Sequence, residues 1–227
     1  MRFLFSALFV AICLTSAVDG RSSFPLDLPT GGRGANEAEE DPLETIEFYG
    51  AEFEGDAFMF VIDVSGSMAW GGRLENAKEE LVQALMSLSS SAEFGIVAFN
   101  SGLSEYSTVM QRATNAIKAS GAAWVHSLSA YGGTCIDIGT IHGLSILRTS
   151  SKNPDQKKLI LLGDGAQGCS MTPPAEAHEQ VINDITFANW ERVSIDTIFV
   201  GGNYILAELL FQAIADNNDG AFRIVNH

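Results

Sequence analysis

The sequence predicts an α/β fold, with a doubly wound, mostly parallel sheet and helices on both of its faces. From about residue 46, two kinds of segment alternate along the chain. Short continuous apolar runs are typical of strands that are buried on both faces. Longer segments with one apolar stripe at helical spacing follow them. This alternation favours parallel strands joined by crossover helices.

The predicted strands are runs of aliphatic, aromatic and β-branched residues bounded by polar residues or glycine. In chain order they are 57–65, 93–100, 157–165, 194–202 and 221–225. The segment 106–110 alternates polar and apolar residues, which predicts one short antiparallel edge strand. Two of the apolar runs end in an aspartate, Asp63 and Asp164.

The predicted helices have apolar residues three or four positions apart with charged residues between them, as in "RLENAKEELVQALMSL". They cover 73–88, 112–129 with an interruption near Gly121, 137–149, 175–190 and 205–218. The pair Pro173-Pro174 breaks the chain before the fourth of these helices.

Composition narrows the classes of partner. Of the 227 residues, 46% are hydrophobic and 18% are charged, as in a globular protein, and the net charge is −15. Nucleic acids and anionic membranes need a basic surface, so neither is expected as a partner. An acidic protein of this kind attracts cations.

The first 45 residues predict export followed by a linker. Residues 1–17 have a positive charge at Arg2, an apolar run and small residues at a cleavage position, typical of a signal peptide; a retained membrane anchor is the alternative. Residues 18–45 are rich in proline, glycine and acidic residues, which predicts a flexible acidic linker. The folded domain is then 46–227. We expect an extracellular, periplasmic or surface location, without membrane insertion after cleavage.

A regular set of oxygen-bearing side chains follows the first strand. Asp63, Ser65 and Ser67 alternate in "DVSGSM", and Gly66 allows a sharp turn between the serines. Because the carboxyl ends of parallel strands share one edge, Asp164 is expected beside Asp63. A bound cation would offset the repulsion between the two carboxylates. Carboxylate and hydroxyl oxygens suit Mg²⁺ or Mn²⁺. The alternative is a strand-end turn whose serines cap the next helix.

These residues resemble the metal-ion-dependent adhesion site (MIDAS) of von Willebrand factor type A domains. The family's Asp-X-Ser-X-Ser motif is present as Asp63, Ser65 and Ser67, the threonine of a glycine-preceded loop as Thr134 in "YGGTCI", and the later aspartate as Asp164 in "LLGDG". The resemblance covers residues 46–226. It implies that both serines coordinate the ion directly and that Thr134 does so in one state of the site. By the same resemblance, Asp63 mostly accepts hydrogen bonds from groups around the ion or holds it through water, and Asp164 holds it through water or directly.

The same resemblance implies a binding module and not an enzyme. One coordination position of the metal would be completed by a Glu or Asp carboxylate of a partner protein. The chain departs from the family's pattern at Gly163, where Thr or Ser is common, and at Cys135, where a polar residue is frequent. The sequence stops at His227, so the family's final helix and its switching movement are not expected.

If the metal site forms, further residues come to its edge. Cys135 and Cys169 would lie on two of its loops, which predicts a disulfide; two free thiols are the alternative. Trp70 and Tyr131 flank two of the loops and either line the partner surface or only pack. Two other functions stay open. One is a metal-dependent hydrolase, although no histidine or lysine lies close in sequence to the loops, and the other is a scaffold without metal.

Overall fold

A computed structural model describes residues 42–169, 174–202 and 204–225. They belong to one unit, Asp41–His227. The predicted signal peptide, 1–17, and residues 18–41 of the predicted linker lie outside the described residues. Within the described part of the chain, no helix combines the length and apolarity needed to cross a membrane.

The centre of the fold is strand β3, Ala57–Asp63, all of whose residues are buried. It pairs in parallel with β4, Glu93–Phe99, on one side and with β7, Lys157–Gly163, on the other. Strands enclosed on both faces need apolar residues at every position, not only at alternate ones. The continuous apolar runs therefore led to the correct prediction of these strands.

The sheet contains seven strands in the order β5-β4-β3-β7-β8-β9, with β6 also paired to β4. The bounds of the remaining strands are Leu103–Glu105 for β5, Gln111–Arg112 for β6, Ser194–Val200 for β8 and Phe222–Val225 for β9. Chain order runs outward from β3 in one direction and from β7 in the other. The boundary between these two strands is therefore the switch point of the sheet, where ligands of such folds bind.

Helices cover both faces, as predicted. They are α1 Arg73–Ser87, α2 Asn115–His126, α3 Ile136–Leu147, α4 Pro174–Ala188 and α5 Ile205–Asp216. Buried side chains of α1 and α2 form one core with the sheet, whereas those of α3, α4 and α5 form the other.

A hairpin that was not predicted precedes the sheet. Strands β1, Glu44–Phe48, and β2, Ala51–Gly55, pair antiparallel around Tyr49 and Gly50, whose φ angles are 52° and 65°. Positive φ at both turn residues gives the twist that two-residue hairpins favour. Glu44 and Thr45 belong to β1, so the folded domain begins before residue 46, within the segment assigned to the linker.

Two other segments differ from their predictions. Residues 106–110 do not form a strand but join β5 to β6, both of which are antiparallel to β4. The Ser107 hydroxyl accepts a hydrogen bond from the N–H of Val109 at 3.2 Å, a local turn that competes with strand pairing. Helix α2 runs without interruption through Gly121. A Cβ at this residue would lie 3.1 Å from the Phe94 ring, so glycine allows the helix to pack closely against β4.

Candidate metal centre

Three loops meet at the carboxyl edge of the sheet. The first loop, residues 63–67, follows β3, and the second, residues 131–135, precedes α3. Backbone hydrogen bonds join the two, from the N–H of Gly66 to the carbonyl of Gly132 at 3.0 Å and from the N–H of Tyr131 to the carbonyl of Val64 at 2.9 Å. The second loop is therefore held against the end of the central strand.

The third loop, residues 164–169, follows β7 and is tied to the second loop twice. The N–H of Gly168 donates to the Thr134 carbonyl at 2.8 Å. Cys135 and Cys169 form a disulfide, with their Cα atoms 5.2 Å apart. The structure thus contains the predicted cross-link, and it joins the two loops that carry Thr134 and Asp164.

Side chains of the first and third loops contact each other directly. Ser67 Oγ donates to Asp164 Oδ1 at 2.7 Å, and Ser65 Oγ lies 3.1 Å from Ser67 Oγ. The Ser65 hydroxyl makes no capping hydrogen bond to the 3₁₀ turn Gly66–Gly72 that follows it, and the N-cap of α1 is Gly72. Helix capping by the first serine is therefore not what this structure shows.

Asp63 is a buried carboxylate with an unused oxygen. Its side chain is fully enclosed, and Oδ1 accepts the N–H of Ser65 at 2.7 Å. Oδ2 has no hydrogen-bond partner among the described residues. Burial raises the pKa of Asp63 to about 7; the Asp164 carboxylate adds to this effect, whereas hydrogen bonds from Ser65 and the nearby backbone N–H of Asp164 oppose it. An oxygen of this kind is suited to a cation, which would remove the cost of burying its charge.

The Thr134 hydroxyl lies near that of Ser67, with Gly165 between them. A Cβ at Gly165 would lie 3.5 Å from Thr134 Oγ1 and 3.9 Å from Ser67 Oγ. The threonine is buried, and the absence of a side chain at residue 165 leaves its hydroxyl and that of Ser67 facing one small space. The structure therefore brings all five predicted metal-site residues to one edge of the sheet.

The departure from the family's pattern at Gly163 has a packing reason. A Cβ at this position would lie 2.9 Å from Phe211 Cζ and 3.0 Å from Asp63 Oδ2. The ring of Phe211, on α5, takes the space that a threonine or serine would need.

The chemistry of this set fits a hard divalent cation. Among the described residues, no group of three or more His, Cys, Asp or Glu side chains is placed to hold a metal. The candidate set instead combines two carboxylates with three hydroxyls. Such oxygens are ligands for Mg²⁺, which also keeps some of its waters. The buried Oδ2 of Asp63, which has no hydrogen-bond partner among the described residues, supports this fit.

Sequence reasoning missed Arg73, which contacts this centre. Its Nη1 donates to Asp164 Oδ2 at 2.5 Å, and the arginine side chain is 23% exposed while that of Asp164 is fully buried. Gly71 and Gly72, with φ of 63° and 73°, turn the chain so that α1 begins with Arg73. The available signal was an arginine only six residues after Ser67 of the Asp-X-Ser-X-Ser motif, close enough in sequence to pair with a carboxylate of the site.

The predicted partner-surface residues are both exposed beside the centre. Trp70 is 69% exposed and lines a cavity of about 310 Å³ with Ser67, Arg73 and Asp164. Tyr131 is 65% exposed and lines a separate cavity, beside β5 and the end of α2. Neither ring is enclosed by the described residues, so both are available for contact.

Comparison with known proteins agrees with this architecture. Residues 58–167 match the family model of the von Willebrand factor type A domain. Inter-alpha-trypsin inhibitor heavy chain H2 of Mus musculus is 32% identical over 108 residues, which are 46% of this chain and 11% of that protein. This chain therefore spans about a tenth of the length of the curated relatives that it matches.

Solved structures show the same fold. A von Willebrand factor type A protein from Catenulispora acidiphila has a TM-score of 0.63 and 24% identity over 77% of this chain and 39% of that one. The pilus adhesin SpaC from Lactobacillus rhamnosus GG, in its open conformation, has a TM-score of 0.62 and 16% identity over 77% of this chain and 28% of the adhesin. At these identities the likeness concerns the fold alone.

Proposed function

We propose that this chain carries a von Willebrand factor type A domain, the family whose model matches residues 58–167, and that it is a metal-dependent, adhesion-type protein-binding module. In this proposal Mg²⁺, or Mn²⁺, is held by Asp63, Ser65, Ser67, Thr134 and Asp164. A Glu or Asp carboxylate of a partner protein completes its coordination.

The observation that carries the proposal is the 2.7 Å hydrogen bond between Ser67 Oγ and Asp164 Oδ1. It joins oxygen atoms from loops that are 97 residues apart in the chain. Asp63 Oδ2, which lacks a hydrogen-bond partner within the described part of the chain, adds a buried negative oxygen to the same edge. A divalent ion bound by these residues would supply a Lewis-acidic position for an external carboxylate.

Each side chain then has a role in binding. The two serine hydroxyls provide neutral ligands, and Asp63 and Asp164 provide the negative charge that retains the ion. Exposed Trp70 and Tyr131, which lie on or next to loops of the centre, supply aromatic contact area, and aromatic residues dominate the binding energy of protein interfaces.

The proposed activity forms and breaks no covalent bond. Hydrolysis would need a positioned base beside the ion and a group that stabilises developing charge. Among the described residues, the basic side chain that contacts the centre is Arg73, and a guanidinium has no acceptor with which to act as a general base. The Asp63 carboxyl, with a pKa raised to about 7, is fully enclosed and therefore out of reach of a substrate that approaches from solvent. We therefore favour binding over the hydrolase alternative.

We further propose that the protein acts outside the cytoplasm. The signal-like residues 1–17 predict export, and the Cys135–Cys169 disulfide is typical of an oxidising compartment. The net charge of −15 speaks against nucleic acid as the partner.

Calorimetric titration with MgCl₂ tests the metal site. Wild type is expected to bind one ion, and Asp63→Asn is expected to lose measurable binding because a neutral amide replaces a buried carboxylate. Asp155→Asn is the matched control, since Asp155 is exposed and precedes β7 at the opposite edge of the sheet. Equal Mg²⁺ binding by Asp63→Asn and wild type would refute the metal site.

A second experiment tests the partner. Immobilised protein is incubated with a surface-protein fraction in Mg²⁺ or in EDTA. Specific capture should require Mg²⁺ and should be lost in Asp63→Asn but kept in Asp155→Asn. Turnover of hydrolase substrates by wild type in Mg²⁺, lost in Asp63→Asn, would replace the binding proposal with the enzymatic one.

A further inference from the structure

Both oxygens of Asp164 already have partners within the protein. Oδ1 accepts from Ser67 Oγ at 2.7 Å, and Oδ2 accepts from Arg73 Nη1 at 2.5 Å. The carboxylate itself is fully buried. A guanidinium paired with a buried carboxylate is a strong, charge-assisted contact. A metal ion that uses Oδ2 of Asp164 must therefore displace Arg73.

Arg73 has space to move into. Its side chain is partly exposed, and it borders the cavity of about 310 Å³ that Gly202 and Tyr204 also line. Trp70 and Tyr204 present exposed aromatic rings at this cavity. Aromatic faces accept guanidinium groups through cation–π contact and stacking. A displaced Arg73 can therefore find favourable contacts without unfolding any part of α1.

Charge also favours exchange over simultaneous binding. A divalent ion and a guanidinium on one carboxylate would repel each other strongly at a buried site. A guanidinium moved to the cavity would still lie beside the metal position and would face incoming ligands. Its five N–H donors match the geometry of a carboxylate.

We propose that Arg73 competes with the divalent ion for Asp164, and that metal binding releases its guanidinium to contact the acidic side chain of the partner. This inference rests on the proposed metal-dependent binding function. Arg73 is then an internal competitor that lowers the metal affinity. It is also a second recognition group, which becomes available only when the metal is bound.

Calorimetry with MgCl₂ on three variants tests the competition. Arg73→Met keeps the length and apolar stem but removes the donors, and it should bind Mg²⁺ roughly ten- to hundredfold more tightly, the range for loss of one charge-assisted hydrogen bond. Arg73→Lys keeps the charge but has only a point donor, and it should fall between Arg73→Met and wild type. Arg112→Met removes an exposed positive charge at the opposite edge of the sheet and should match wild type.

Long-range charge repulsion makes different predictions. It requires Arg73→Lys to bind Mg²⁺ as wild type does, and it requires the effect of Arg73→Met to disappear in high salt, which screens separated charges. Either result would overturn the competition. Titrations at low and at high KCl concentration separate the two explanations.

The Nε–Hε resonance of Arg73 in ¹⁵N-correlated NMR spectra, assigned by its loss in Arg73→Met, reports the movement directly. It should shift with the same midpoint as calorimetric Mg²⁺ binding. Sodium acetate, as the carboxylate probe, should then shift it in Mg²⁺-saturated protein but not in EDTA. A resonance that ignores Mg²⁺, or that answers acetate equally in both states, would overturn the proposal.

Failure of this inference can be distinguished from failure of the proposed function. If wild type and Arg73→Met bind Mg²⁺ with equal affinity, the metal site stands and the competition is wrong. If neither protein binds Mg²⁺, both are wrong. Binding by Arg73→Met alone would support the competition in its strongest form.

Discussion

Breaking the disulfide between Cys135 and Cys169 is expected to lower the free energy of unfolding by about 4 kcal/mol. The two cysteines are 34 residues apart, and in the chain-entropy model a closed loop of this size restricts the unfolded chain by roughly that amount. Native domains are commonly stable by about 5–15 kcal/mol, so the loss would be a large share of the total.

The disulfide can be removed in two ways, by reduction and by substitution of both cysteines. Wild type with and without reductant gives the effect of the bond alone. The double variant Cys135→Ala with Cys169→Ser removes both thiols; alanine suits residue 135, which is buried, and serine suits residue 169, which is exposed. Urea unfolding followed by circular dichroism in EDTA gives the free energy for each protein.

The same proteins test whether the bond preorganises the metal centre. The cross-link joins the loop of Thr134 to the loop of Asp164, so reduction should weaken Mg²⁺ binding as well as the fold. Reduction that costs less than about 1 kcal/mol would show that the loop-closure argument fails here. Unchanged Mg²⁺ affinity after reduction would show that the bond stabilises the domain but not the site.

Three further predictions concern the core and the site. In EDTA, Asp63 should make the protein less stable as pH rises from about 4 to about 7, because in this range the folded state keeps the proton of Asp63 and the unfolded state loses it. The rise of its pKa from 3.8 to about 7 corresponds to a loss of about 4 kcal/mol in the free energy of unfolding. Urea unfolding of Asp63→Asn should lack this decline. Gly143→Ala should cost about 1–3 kcal/mol in thermal or urea unfolding, since its Cβ would lie 2.6 Å from Val61 Cγ2. Gly202→Ala, with no described atom within 4 Å, is its control, and stabilisation by Gly143→Ala would contradict the packing. Lys118→Met should lower stability by about 1–3 kcal/mol, because buried Nζ donates to two carbonyls at the end of α1, and an unchanged unfolding midpoint would show that these bonds contribute nothing.

Prediction from sequence succeeded where the signal was local. The strands around Asp63 and Asp164 were found because central parallel strands are apolar at every position. The hairpin before them was missed, although Ile46, Phe48 and Phe53 alternate with glutamates, because a short alternation beside an acidic stretch is a weaker signal than a continuous apolar run; its first two residues, Glu44 and Thr45, were assigned to the linker. Its apolar residues pack into the core that α1 and α2 form with the sheet, a contact between distant parts of the chain that no local sequence pattern predicts.

The candidate site divides in the same way. Asp63, Ser65 and Ser67 were identifiable from their spacing, and the order of the strands placed Asp164 at the same edge. Arg73 was not identified, because its partner Asp164 is 91 residues away and the contact depends on how α1 leaves the first loop.

Spacing within short segments was enough to predict the alternation of strands and helices, the oxygen-bearing residues at the strand ends and the pair of cysteines. The folded chain was needed to see that Arg73 pairs with Asp164, that Asp63 Oδ2 lacks a partner among the described residues, and that Phe211 fills the space beside Gly163. These contacts join elements far apart in the chain. Their existence depends on the packing of helices against the sheet, which fixes distances that spacing along the sequence does not contain.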